Sequence, residues 1–114
     1  MLPAANRLRK TRDINLVYKR GVYGGAGDLS VKVMPNRLPQ SRLVVVVGKK
    51  IDKRAVVRNR IRRRLVESVR QMWATVPASY DIVVSVRADL SERPFDELAG
   101  LLEQALGRAK PRNN

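Results

Sequence analysis

The chain has 114 residues, 44% of them hydrophobic, and its 24 Lys and Arg against 10 Asp and Glu give a formal charge of +14. That length makes one domain with enough apolar residues for a core, and the charge points to a polyanionic partner, nucleic acid before an anionic membrane surface. Cysteine and histidine are both absent, which excludes disulfides, His/Cys zinc sites and Ser-His or Cys-His catalysis.

Residues 1–10 read as a basic N-terminal segment, extended from Asn6 to Lys10, without the apolar stretch of a secretory signal. Thr11 is placed to cap a short helix, with Asp13 in its first turn and Gly21 just past its end. On that helix Ile14, Val17 and Tyr18 share a face. Val17 reads as core. Tyr18 lies among Arg12, Lys19 and Arg20, and reads equally as core or as a ring on which a base stacks. Gly21 to Gly27 holds four glycines and reads as a turn, with at most a short strand at Val22–Tyr23. Leu29 to Met34 alternates apolar and polar residues, the pattern of a half-buried strand. Pro35 to Gln40 is a loop. Leu43 to Val47 is a continuous apolar run, as in a central strand buried on both faces.

The stretch that follows dominates the sequence. Between Lys49 and Arg64 lie nine of the 24 basic residues and one acid, Asp52. From about Val56 the pattern is helical: Val57, Ile61, Leu65, Val69 and Met72 form one apolar stripe. Arg58, Arg60, Arg62, Arg63 and Arg64 fill the rest of its first turns. Guanidinium groups so close repel one another unless a polyanion neutralises them. Asn59, a mediocre helix former, brings an amide suited to phosphate, sugar or base edges.

The helix should end near Ala74, because Val76–Pro77 forbids continuation. Tyr80 to Val86 is a second buried strand. Strand, helix and strand make a βαβ unit, so the two strands should be parallel. Arg87 follows at the strand end, where it faces either a groove or solvent. Pro94 starts a last amphipathic helix, with Phe95, Leu98, Leu101, Leu102, Ala105 and Leu106 as its apolar side. It carries Asp96, Glu97 and Glu103 and reads as scaffold. Gly107 should stop it, leaving a frayed tail over residues 108–114.

The acids are scattered over caps, loop starts and one helix face. None has metal-ligand spacing, and GVYGGAG lacks the lysine and helix start of a P-loop. The residues therefore imply a single α/β RNA- or DNA-binding module without an active site of its own. An arginine-edged groove with a tyrosine on one wall suits a single strand better than a duplex.

Several stretches together resemble one known family. KRAVVRNRIRRRLVE, from Lys53 to Glu67, is similar to the arginine-rich signature of the protein subunit of bacterial ribonuclease P. NRLRKTRDINLVYKRG resembles that family's N-terminal segment, SRLVVVVGKKIDKRA its central strand and lysine pair, and YDIVVSVR its last strand. The likeness spans nearly the whole chain. It implies an α+β two-layer sandwich in the order α-β-β-β-α-β-α, with an uncommon left-handed βαβ crossover through the arginine helix.

The resemblance also implies a function. The partner is the large ribonuclease P RNA, which carries the active site and its Mg2+; the protein itself is non-catalytic and binds no cofactor. The substrate is precursor tRNA, whose 5′ leader the protein holds in a cleft between first helix and sheet. Lys49, Lys50, Lys53, Arg54, Arg58, Asn59, Arg60, Arg62 and Arg63 match RNA-binding positions, with Arg60 a candidate for supporting the fold instead. Ile14, Tyr18, Lys32 and Arg87 match the leader cleft. Ile14 stands where the family often has phenylalanine, so its contact would be apolar only. Lys32 stands where an aromatic is frequent, which favours phosphate. Val66 replaces a common basic residue. The absence of cysteine fits a cytoplasmic location, the apolar runs are too short to span a membrane, and no small-molecule substrate is expected. The alternative class is a ribosomal-type or general RNA-binding protein. A stand-alone nuclease is disfavoured for want of an acid–base constellation.

Overall fold

Alternation in the strands and four-residue spacing in the helices decide how the layers meet. The computed structural model describes residues 2–109. The helices are α1 (Thr11–Arg20), α2 (Ala55–Met72) and α3 (Phe95–Arg108); the strands are β1 (Val22–Ala26), β2 (Leu29–Pro35), β3 (Arg42–Val46) and β4 (Tyr80–Val86). Single 3-10 turns occupy Ala4–Asn6 and Trp73–Thr75. The strands form one sheet in the order β1-β2-β4-β3, with β3 parallel to β4 and the other pairings antiparallel.

One sheet face carries Leu29, Val31, Val33, Leu43, Val45, Ile82 and Val84, and it packs with Ile61, Leu65 and Val69 of α2 and Leu98 and Leu102 of α3. The opposite face holds a much smaller cluster, Leu8, Val17 and Val83, flanked by half-buried Ile14, Tyr18, Val44 and Val46. Among the described residues, that face is covered where α1 crosses it and where Leu8 of the N-terminal segment packs on it. A bidentate ion pair holds α1's side of the sheet: Arg42 donates to both Asp81 carboxylate oxygens at 2.8 and 2.7 Å, and Asp13 of α1 lies 3.7 Å from the same guanidinium. Asp81 is buried, and this pairing raises the Arg42 pKa through the Asp81 hydrogen bond first.

Four sequence expectations change. Leu43–Val47 is an edge strand, not a central one, and its side chains alternate between buried and half-buried. Its second face lies against the partly open side of the sheet. Its free edge is met by the N-terminal segment, where Leu8 N–H donates to the Leu43 carbonyl at 3.0 Å. Gly21–Gly27 is mostly strand: β1 runs through Gly24 and Gly25, and the turn shrinks to Gly27 and Asp28. Gly27, at φ +54°, takes the first position of that two-residue turn, where L side chains are strained. Gly24 is required because a Cβ there would strike the Ala105 carbonyl of α3 and the nitrogen of Ala109 just past its end. Lys10, not Thr11, is the α1 N-cap residue, and no side chain caps it. Gly107 lies inside α3, which reaches Arg108; residues 110–114 of the expected tail lie outside the described residues.

Candidate nucleic-acid interface

A helix repeats every 3.6 residues, so the arginines of α2 fan out around its first turns rather than lining one side. Ile61 and Leu65 are buried against the sheet and α3. Arg58 and Arg62 share one flank, Asn59 and Arg63 point away from the core, and Arg60 and Arg64 share the flank facing the start of α3.

The fan divides into held and free cations. Arg58 folds back and donates from Nη1 to the Asp52 and Lys53 carbonyls at 3.0 and 2.8 Å. Arg54 pairs with Asp52, which also accepts from the Arg54 backbone N–H at 2.8 Å. The Arg54 side-chain hydrogen bond, aided by this backbone one, lowers the Asp52 pKa to about 2. Arg60 leans to the Ser91 carbonyl and lies 3.7 Å from Glu92. Arg62 donates to the Asn59 side-chain oxygen. Arg64 is absorbed by the fold: it lies 4.4 Å from the Phe95 ring centroid and donates to the Arg93 carbonyl. Among the described residues, the side chains of Lys49, Lys50, Lys53 and Arg63 are exposed and have neither hydrogen bond nor ion pair. A groove of about 640 Å³ runs between α2 and the N-terminal segment, with Arg9, Arg62 and Arg63 among its lining.

The open sheet face holds the second group. Its upper row, read across the strands by register, is Gly25, Ser30, Ser85 and Val46. The row below it is Tyr23, Lys32, Val83 and Val44. Tyr18 is half-buried, and its hydroxyl lies 3.1 Å from Ser85 Oγ. It is thus neither wholly core nor free: one edge is anchored and the rest borders the trough above the serines. Lys32 donates to the Tyr18 carbonyl, capping the last turn of α1, while the other two donors of its ammonium have no partner among the described residues. Ile14 is half-buried against the small cluster.

Arg87 is exposed and reaches across β2 to donate to the Tyr23 hydroxyl, with its guanidinium 5.6 Å from that ring's centroid. Sequence reasoning passed over Tyr23, because a glycine-rich turn assigns its residues to no face. The signal was available in the alternation of Val22 with Tyr23 just before a hairpin glycine. The structure brings Ile14, Tyr18, Lys32 and Arg87 onto one side of the sheet. Parallel pairing of β3 and β4 sets the lysine pair beside the Arg87 end of β4.

The acids are distributed differently. Asp81 serves Arg42 and Asp52 serves Arg54, while Asp28 and Glu97 bind Arg93 at 2.6 and 2.7 Å and Glu67 binds Arg70. Among the described residues no three carboxylates are grouped to hold a metal ion, and no helix is long and apolar enough to cross a membrane.

A four-stranded α+β sandwich with a cation-fringed helix and a half-open sheet face is the architecture of a nucleic-acid-binding module. Comparison with known proteins gives the family. The Ribonuclease P family profile matches residues 2–110. A ribonuclease P protein component from a Pseudanabaena species is 36% identical over 111 residues, covering 96% of each chain. One from a Roseiflexus species is 40% identical over 106 residues, covering 92% of this chain and 86% of its own. The solved ribonuclease P protein of Thermotoga maritima superposes with a TM-score of 0.81 at 31% identity, covering 92% of this chain and 98% of its own. The chain belongs to the ribonuclease P protein family, the protein components of a tRNA-processing endoribonuclease. Membership gives it an RNA partner in the holoenzyme.

Proposed function

We propose that this protein clamps the 5′ leader of precursor tRNA against its open sheet face while its arginine helix docks on the catalytic RNA. The observation that carries this reading is the division of the surface. Exposed, unpaired cations gather on α2 and the loop before it, and an aromatic-walled trough with a serine floor lies on the sheet beside them.

Phosphate neutralisation by Lys49, Lys50, Lys53 and Arg63 supplies affinity for the RNA. Arg62 and Asn59 act together through their shared hydrogen bond. Arg58 presents its remaining donors from a fixed position, because two carbonyls hold Nη1. Arg54 and Arg60 reach RNA only by leaving a carboxylate, so their net contribution is smaller. In the trough, Tyr18 offers its ring to an unpaired base, stacking being worth roughly 1–3 kcal/mol per base. Lys32 and Arg87 offer phosphate contacts, and Ile14 an apolar one.

The chemistry of hydrolysis is assigned to the RNA. In this reading the RNA also holds the Mg2+; in support, among the described residues this chain's acids are engaged with its own arginines or are not grouped in threes. The protein raises the fraction of precursor bound in register and lowers the Mg2+ needed, by supplying cations at the leader. We place this work in the cytoplasm.

The test is cleavage of precursor tRNA at low Mg2+ by protein alone, by a bacterial ribonuclease P RNA alone, and by both together. Cleavage at the mature 5′ end only with both present is expected. Cleavage by protein alone, or no effect of protein on the RNA, would overturn the proposal.

A further inference from the structure

The Tyr23–Arg87 pair has no role in holding the core. Tyr23 is 45% exposed on edge strand β1, and Arg87 is an exposed strand-end residue. Yet the two are locked together. Arg87 donates to the Tyr23 hydroxyl, and its side chain crosses β2 to do so. The ring lies flat along its own strand, because Gly25 leaves the space: a Cβ at Gly25 would sit 2.7 Å from the Tyr23 hydroxyl oxygen. A flat, exposed, pre-positioned ring beside a guanidinium is what stacking of an unpaired base and binding of its phosphate require.

Register fixes where this ring sits relative to Tyr18. Tyr18 reaches Ser85; Ser85 pairs with Ser30, and Ser30 with Gly25. The two tyrosine hydroxyls therefore stand at opposite ends of one cross-strand row. Two strand spacings separate them, about 10 Å. The floor between them is serine and glycine, all small residues. Lys32, the cross-strand partner of Tyr23, borders one side and Arg87 the other.

We propose that Tyr23, positioned by Arg87 and Gly25, is a second nucleotide-binding station: an unpaired nucleotide of the leader stacks on its ring and sets a phosphate on Arg87. The station adds a second aromatic ring to a face on which Ile14 and Lys32 supply none. It rests on the leader-binding reading above and extends it along the sheet, away from Tyr18.

The experiment uses the assembled holoenzyme and a set of precursor tRNAs whose leaders grow one nucleotide at a time, with mature tRNA alongside. In the wild type, affinity should climb with leader length and then level off. Tyr23→Ala should remove the later part of that climb, roughly five- to tenfold in Kd, while Tyr18→Ala removes the earlier part. Tyr23→Phe should keep most of the affinity, and Gly25→Ala should behave like Tyr23→Ala because it displaces the ring. Tyr23 is a half-exposed edge residue, and unchanged melting of the variants confirms that they fold.

If the wild type discriminates precursor from mature tRNA and Tyr23→Ala follows the same length curve, the station is wrong and the leader reading stands. If Tyr23→Ala weakens mature tRNA equally, or weakens assembly with the catalytic RNA, the nucleotide comes from elsewhere and the proposal fails. If the wild type shows no preference for leaders at all, the leader reading itself fails.

Discussion

Arg63 and Arg64 are neighbours in sequence with opposite surroundings, and alanine at each should separate RNA binding from folding. Arg63 is exposed and unpaired among the described residues. Arg63→Ala should leave melting unchanged and reduce the slope of log K for the catalytic RNA against log salt by about 0.7–0.9, the worth of one phosphate contact. Arg64 is spent within the fold. Its contact with the half-exposed Phe95 ring contributes about 0.5–1 kcal/mol. Its charged hydrogen bond to the Arg93 carbonyl contributes about 1.5–3 kcal/mol. Against these stands a buried Nε with no partner among the described residues, whose removal returns about 1–2 kcal/mol. The net cost of Arg64→Ala is about 1–2 kcal/mol, a fall in Tm of roughly 4–10 °C for a chain of this size, with the salt slope unchanged. The assays are thermal melts of the free protein and RNA titrations at several salt concentrations and fixed Mg2+. A lower slope for Arg64→Ala with unaltered Tm, or an unaltered slope for Arg63→Ala, would refute the partition of the arginines.

Tyr18→Ala should raise Kd for leader-bearing tRNA and leave mature tRNA unchanged; equal effects on both, read by competition binding, would make Tyr18 a packing residue only. Asp81→Ala strands the Arg42 guanidinium at the end of the sheet. Breaking a buried pair costs about 3–5 kcal/mol, and the part exposure of Arg42 and the nearby Asp13 reduce this to about 2–3 kcal/mol, measurable by urea unfolding. The folded-state pKa of Asp52 is depressed from 3.8 to about 2, so its contribution to stability is fully present above the unfolded value and is lost as pH falls between those two. The Tm difference between wild type and Asp52→Asn should therefore be constant above pH 3.8 and close toward pH 2.

The strands and helices that alternate or repeat cleanly were readable from the residues alone. Leu29, Val31 and Val33 face the main core, β4 spans Tyr80–Val86, and the stripe from Ile61 to Val69 is the buried side of α2. What failed to show depended on partners distant in sequence. Leu43–Val47 reads as a two-sided core strand, yet its position at the edge follows from β4 inserting between it and β2. The glycines of β1 hide a strand because Gly24 serves α3's backbone and Gly25 serves a ring. The arginine signature shows the family, but its residues alone do not say that Arg58 clamps a loop or that Arg64 lies over Phe95. Side-chain reach of several ångströms lets neighbouring arginines choose different partners at no cost visible in the pattern.

The sheet's two outer strands bear on the life of the protein before it meets RNA. An unpaired strand edge is a template for another chain, and a nascent basic protein must wait for its partner without sticking to copies of itself. The N-terminal segment occupies part of the β3 edge through the Leu8–Leu43 hydrogen bond. At the other border, Arg108 donates to the Gly25 carbonyl of β1 at 2.6 Å. Amyloid-like or swapped assembly is thus opposed at both borders, and the charge of +14 adds mutual repulsion. Trimming the residues through Leu8, or replacing Arg108, should remove a guard against aggregation while leaving every cation of α2 in place.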